Sequence, residues 1–242
     1  MDAARLRKAW TKIGSGASVI VFLKGVVMTR ILMGALLTIC LFSQVEARRC
    51  YSCLDKRLPD DNMRHHTFKA VLERLERDGA RTLVETGTSR YGDGNCAGDG
   101  CSTLIFGEWA DQNGATLYSV DKDPKALNNA KKALMPHVRN KECVQFVESD
   151  SIAFLRDFGQ PIDFLYLDSR DYGDWDPHPS QRHCLNELIA AYPNFTEKTF
   201  VMVDDSCFPR GGKGKLVVKY LKDRGWRVLI HSYQVILCPP ED

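Results

Sequence analysis

The sequence has no internal repeat and no low-complexity block, which excludes a stacked-repeat architecture. It has almost no net charge: 33 Lys and Arg against 31 Asp and Glu leave +2. A dedicated nucleic-acid binder shows a strongly basic face, so nucleic acid is not an expected partner. G-x-G-x-x-G is missing, and "CFPRGGKGK", Cys207 to Lys215, does not satisfy G-x-x-x-x-G-K-[ST]. The first absence disfavours a nicotinamide-dependent oxidoreductase, and the second removes a phosphate-binding P-loop. "CYSC", Cys50 to Cys53, has no second C-x-x-C to complete a zinc site. The nine cysteines are few for a disulfide scaffold and many for a reduced enzyme. Cys96 and Cys101 bracket a glycine loop, and a disulfide is an alternative if the chain is exported. Cys143, Cys184, Cys207 and Cys238 lie in or beside apolar runs and read as small buried residues.

What is present divides unevenly. Residues 1–47 carry six basic residues up to Arg30, then the apolar run Ile31 to Phe42 and small residues before a polar start. This pattern resembles a signal peptide cut after Ala47, with Met28 as an alternative start. A membrane anchor interrupted by Lys24 and Arg30, or a buried helix, are the other readings. Residues 48–65 read as a polar linker, and 66–242 as the folded domain.

Within that domain, helical and strand patterns alternate. "HHTFKAVLERLERDG" places Phe68, Val71, Leu72 and Leu75 on one helical face and stops at Gly79. "RTLVE", "ATLYSVD", "CVQFVES", "IDFLYLD" and "TFVMVDD" read as strands separated by helices, and "WRVLIHS" and "YQVILC" follow without room for a crossover. Strands apolar on both faces indicate a buried parallel sheet. The expectation is an α/β fold: a seven-stranded, mostly parallel, doubly wound Rossmann-like sheet closed by a C-terminal antiparallel hairpin.

Acids recur where those strands end. Glu85 follows the first, Asp121 the second, Asp150 the third, Asp168 the fourth, and Asp204 with Asp205 the fifth. Acids also serve as caps and turns, but these ends share one rim. Like charges gathered there need compensation by a ligand rich in donors or by a divalent metal. "TLVETGTSRYGDG", Thr82 to Gly94, adds a glycine-rich turn at the first strand end. It allows either close backbone approach to a ligand or an ordinary turn.

"ETGTS", "VDKDP", "SDS" and "YLDS" at the first four strand ends, with the closing hairpin, resemble the class I S-adenosylmethionine-dependent methyltransferases over Phe68 to Cys238. Within them the chain is similar to the small-molecule O-methyltransferases, the macrocin and catechol types. The resemblance implies S-adenosylmethionine as cofactor, with Glu85, Gly87, Thr88 and Ser89 around its methionine part. Asp121 would take the ribose, and Ser149, Asp150 and Ser151 the adenine. It implies Asp168, Asp204 and Asp205 as ligands of a divalent metal, most plausibly magnesium, which would hold the hydroxyl of a small-molecule acceptor.

The sequence departs from the family in two places. The loop "RYGDGNCAGDGC" is long, and Ser169, Arg170 and Asp171 stand where a catechol-type enzyme has a lysine. His183, or less so His178, would then be the base beside Asp168; packing or surface roles are the alternative. Lys213 and Lys215 would attract an anion at a helix start or simply be solvated, and Tyr172 and Trp175 would face a flat substrate or cover the core. A noncatalytic ligand-binding module on the same fold is the competing function. An oligomer and membrane association through the N-terminal segment both stay open. The leader points to export or anchoring, whereas the cofactor points to an intracellular compartment.

Overall fold

The computed structural model describes residues 51–240. The leader or anchor expected at 1–47 lies outside them. Among the described residues, no helix is long and apolar enough to cross a membrane.

The seven expected strands are β1 (Thr82–Thr86), β2 (Thr116–Asp121), β3 (Val144–Glu148), β4 (Ile162–Leu167), β5 (Phe195–Val203), β6 (Arg227–His231) and β7 (Val235–Cys238). They form one sheet in the order β3-β2-β1-β4-β5-β7-β6. β1 to β5 run parallel, and β7 inserts antiparallel between β5 and β6. The chain winds outward from β1 in both directions, so the β1/β4 boundary is the switch point where such folds bind ligands.

Each face of the sheet buries its own core. On one, α2 (His65–Asp78) and α4 (Ser102–Asn113) pack Phe68, Leu72, Phe106 and Trp109 against Leu83, Phe164 and Tyr166. The Phe106 ring meets Phe68, Phe164 and Tyr166 edge-on at 5.4, 5.2 and 5.7 Å, the favoured aromatic geometry. On the other, α6 (Ser151–Asp157), α7 (His178–Ala191) and α8 (Lys215–Lys222) pack Leu155, Leu188 and Leu221 against Val84, Leu165 and Val201. α5 (Pro124–Leu134) begins as its sequence requires: the Asp123 carboxylate accepts from Lys125 N–H at 2.9 Å, with Pro124 in the first turn.

Two expectations are corrected. The stretch expected as a linker is packed from Tyr51 onward. α1 (Ser52–Asp55) and the turn after it bury Cys53, Leu54 and Leu58 in the first core. Arg57 and Lys56 both pair with Glu108 on α4. The polar letters that suggested a linker are ion-pair partners of a buried glutamate, and the sparse leucines are anchors. Cys207, expected to be buried, is exposed, while Cys53, Cys143, Cys184 and Cys238 are buried thiols. Cys96 and Cys101 form a disulfide around α3 (Cys96–Asp99) and close the long first loop on itself.

Leu58→Ala is expected to cost about 2–5 kcal/mol, the usual range for a buried leucine, read as a lower midpoint in urea at unchanged slope. An unchanged midpoint would return residues 51–64 to the status of a linker.

Candidate functional site

Two hollows open at the carboxyl ends of β1 to β5. The first, about 380 Å³, is lined by Gly87, Thr88, Ser89, Asp121, Asp168, Asp204, Asp205 and Lys213, among others. The second, about 510 Å³, is lined by Asp121, Ser149, Asp150, Ser151 and His183 among its residues. Arg90, Asp121, Ser169 and Asp171 line both. Nearly every residue singled out from the sequence therefore borders one of two adjoining hollows.

Local geometry explains the first loop. Gly87 has φ +84, and a Cβ there would stand 2.6 Å from the Asp168 carbonyl oxygen. Glycine lets the turn after β1 lie directly on the end of β4. Thr88 N–H and Asp123 N–H donate to the two Asp121 oxygens at 3.0 and 2.9 Å. Ser89 N–H donates to Thr103 Oγ1 at 2.8 Å, which ties the loop to α4. Asp150 caps α6, accepting from Ala153 N–H at 3.0 Å. The Arg90 guanidinium grips Asp171 with two bonds, 2.6 and 3.1 Å, across the junction of the hollows. That bond holds the Asp171 carboxyl below its ordinary range. The pair is solvent-exposed and worth at most about 1 kcal/mol.

Glu85 does not line either hollow. It is fully buried, accepts from Ser119 Oγ at 2.6 Å, and among the described residues its Oε2 has no hydrogen-bond partner. Burial pushes its carboxyl up to about 7.

The acids of β4 and β5 are compensated from within the chain. Lys213, 1% exposed, donates to Asp168 Oδ1 at 2.6 Å and to Asp205 Oδ2 at 2.9 Å. Arg64 donates to Asp204 through Nη2 at 3.1 Å and Nε at 3.3 Å. Gln234 Nε2 donates to Asp204 Oδ1 at 2.7 Å, and Tyr233 O–H to Asp205 Oδ1 at 2.6 Å. Burial alone would lower the Lys213 ammonium, but Asp168, Asp205 and Asp204 more than offset it and hold it well above its usual range. Burial, with the bond to Asp205, raises the Tyr233 phenol, so it remains a donor.

The segment after β5 is shaped to deliver that lysine. A Cβ on Gly212 would fall 2.1 Å from the Asp205 carbonyl oxygen, and one on Gly214 would fall 2.6 Å from Ser206 Oγ. The two glycines flanking Lys213 let its backbone lie against Asp205 and Ser206. Lys213 is thus neither solvated nor a free surface cation, as its sequence context allowed.

The three carboxylates each present an oxygen within 4.8 Å of the others, a spacing that a divalent ion could bridge. The bonds already made leave little for one. Lys213 sits between Asp168 and Asp205, and Arg64 takes both oxygens of Asp204. A hard ion needs several unencumbered oxygens. Two unit charges ~4 Å apart repel by about 4 kcal/mol at an effective dielectric near 20, and a divalent charge doubles that. The residues present do not fit a divalent metal.

His183 is placed apart from this cluster. Its Nε2 lies 3.4 Å from both Ser151 Oγ and Glu187 Oε1, beside the second hollow. His178 is exposed at the start of α7. Arg64, Tyr233 and Gln234 escaped the sequence reading: no motif surrounds them, and they face the acids only after folding. Tyr172 stacks on Phe208 at 4.9 Å beside the first hollow, whereas Trp175 is 95% exposed.

Residues 97–206 match a family model described as a methyltransferase domain. The fold is shared with SAH-bound PaMTH1, a Podospora anserina methyltransferase, at TM-score 0.52 and 12% identity over 86% of this chain and 96% of that one. It is shared with a Staphylococcus aureus protein described as a "putative caffeoyl-CoA O-methyltransferase" at TM-score 0.53 and 11% identity, over 83% and 96%. A Geobacter sulfurreducens methyltransferase gives 0.50 and 12%, over 83% and 93%. No curated protein matches the sequence. The matched domain and the sheet order define a Rossmann-like methyltransferase fold. The chain is thus similar to methyltransferases in its matched segment and shares their fold.

Glu85 gives a pH test. Its folded carboxyl titrates near 7 rather than 4.5, so the folded state holds the proton more tightly than the unfolded one. Its contribution to stability then falls as pH rises from about 4.5 to about 7, by about 3 kcal/mol at most. Against wild type, Glu85→Gln should gain stability in urea melts by that order between pH 4.5 and 7.5. A constant difference across that range would show that Glu85 keeps an ordinary carboxyl.

Proposed function

We propose that the chain transfers a methyl group from S-adenosylmethionine to a hydroxyl oxygen of a small, flat molecule. The carrying observation is that one hollow is lined both by the glycine turn after β1 and by the charged and aromatic residues after β4 and β5. Cofactor and acceptor would meet there.

The chain's residues fit the cofactor. The close approach at Gly87 leaves Thr88 and Ser89 to border its methionine part, with Glu85 behind them as a buried carboxylate supporting the turn. Each Asp121 oxygen accepts one backbone N–H and keeps acceptor capacity for a ribose hydroxyl. Ser149, Asp150 and Ser151 border the second hollow, where the adenine would lie, with His183 as a neighbour of that end. S-adenosylmethionine supplies a methyl on a positively charged sulfur that leaves as a neutral thioether.

On the acceptor side, Asp168 is partly open to the cavity, and Lys213 fixes one of its oxygens. The acceptor hydroxyl gives its proton to the Asp168 carboxylate as its oxygen lone pair takes the methyl. Asp168, and not His183, is the base in this reading. Tyr172, Phe208 and Tyr233 offer aromatic faces around the cavity, which suits a flat acceptor. The Staphylococcus aureus neighbour carries the name of an O-methyltransferase, in keeping with an oxygen acceptor. The family resemblance would add magnesium at Asp168, Asp204 and Asp205; with Lys213 and Arg64 in place, the reading needs no metal.

Calorimetric titration of the full chain should show binding of S-adenosylmethionine and its demethylated product, and none of NADH. Asp121→Ala should weaken both at least about tenfold, the cost of losing charge-assisted hydrogen bonds. Asp168→Asn should leave cofactor affinity within a few-fold while lowering transfer to hydroxylated aromatic acceptors by about a hundredfold or more. Preference for NADH, or full transfer by Asp168→Asn, would overturn the assignment.

A further inference from the structure

We propose that Lys213 is the acceptor-side cation of this site, a covalently fixed ammonium standing where the family resemblance puts a divalent ion. The inference rests on the methyl-transfer reading for what the cation acts upon, but its geometry stands without it.

Three observations converge on the lysine. First, its ammonium bridges Asp168 and Asp205 at 2.6 and 2.9 Å, two of the three carboxylates that would ligate a metal. Second, the chain commits structure to holding it there. Gly212 permits an approach to the Asp205 and Ser206 backbone that a Cβ would block, and a Cβ on Gly214 would crowd the Ser206 and Val235 side chains. Lys213 N–H donates to the Asp205 carbonyl at 3.0 Å, and Gln181 Nε2 donates to the Gly212 carbonyl at 2.9 Å. A lysine that merely happened to fall near acids would not need its neighbours shaped in this way. Third, an ammonium has three donors, and two are used. Among the described residues no third acceptor is bonded to Nζ, although Lys213 is 99% buried and borders the first hollow. The remaining donor is available to an oxygen within that hollow.

Arg64 completes the arrangement. With Asp168, Asp204 and Asp205 counted as −3 and Lys213 and Arg64 as +2, the cluster carries −1 before any ligand arrives. A divalent ion would invert that sign and crowd the ammonium. A neutral hydroxyl would not: it would accept from Lys213 Nζ, and the negative charge that grows on its oxygen would be met by a cation already in place. Such preorganised charge needs no reorganisation during the reaction. Lys213 thus positions and polarises the acceptor oxygen, and the site works without a metal.

The test uses Mn²⁺ as probe, read by electron paramagnetic resonance on the full chain without cofactor or acceptor. Wild type should bind no stoichiometric Mn²⁺, and its methyl transfer should survive exhaustive chelation. Lys213→Ala, folded by its circular dichroism, should bind one Mn²⁺ at least tenfold more tightly than wild type, because the carboxylates lose their bridging cation. Lys213→Arg should keep Mn²⁺ out. Wild type that binds one equivalent of Mn²⁺, with that equivalent lost in Asp205→Asn, would overturn the proposal without any variant of Lys213. A folded Lys213→Ala that gains no Mn²⁺ affinity would overturn it also. Because Mn²⁺ binding is read without an acceptor, failure to methylate any acceptor would count against the proposed reaction and not against the lysine.

Discussion

Three carboxylates at neighbouring strand ends cannot remain charged and largely buried unless something of opposite sign reaches them, and much of this fold serves that requirement. Burying an ion costs several kcal/mol unless it is paired and hydrogen-bonded. Asp168 directly follows β4, and Asp204 and Asp205 directly follow β5. Their partners come from three other places: Arg64 before α2, Lys213 before α8, and Tyr233 and Gln234 in the turn before β7. One electrostatic constraint therefore ties together the start of the domain, its switch point and its closing hairpin. It also gives residues 51–64 a purpose: the short α1 and its leucines anchor the chain that brings Arg64 to Asp204.

Close backbone contact is the second constraint, and it acts at both ends of the first hollow. Gly87 lets the turn after β1 rest on Asp168, and Gly212 lets the turn after β5 rest on Asp205. Without these contacts the glycine turn and the charged cluster would not border one cavity. The disulfide between Cys96 and Cys101 restrains the loop that supplies Gly98, Asp99 and Ser102 to the same cavity. Strands and pinned loops thus hold the cleft in shape.

Much of this was legible in the residues. The alternation of strand and helix, the doubly apolar strands and the missing crossover before the last strand lead to the observed sheet. Asp121, Asp168, Asp204 and Asp205 were legible because strand-end acids recur at a spacing set by the fold. Asp150 shows how close the ordinary explanation lies, since it caps α6 while bordering the second hollow. Lys213 was visible but misplaced: beside two glycines and a second lysine it resembles a solvated turn, and only the contacts of its neighbours bury it. His183 had the right chemistry, but α7 carries it to the second hollow. The stretch 48–65 looked like a linker because its leucines are few and its ions many.

The sequence by itself determined the element order, the sheet class and the acids on its rim, because those follow from local periodicity and from where a strand must stop. Only the tertiary structure decided what those acids do. Arg64 and Asp204 stand 140 positions apart and Tyr233 and Asp205 28, and no periodic pattern encodes such pairings. Whether a carboxylate cluster holds a metal or an ammonium depends on which cation the packed chain delivers within about 3 Å, the reach of a charge-assisted hydrogen bond. Here the fold delivers its own.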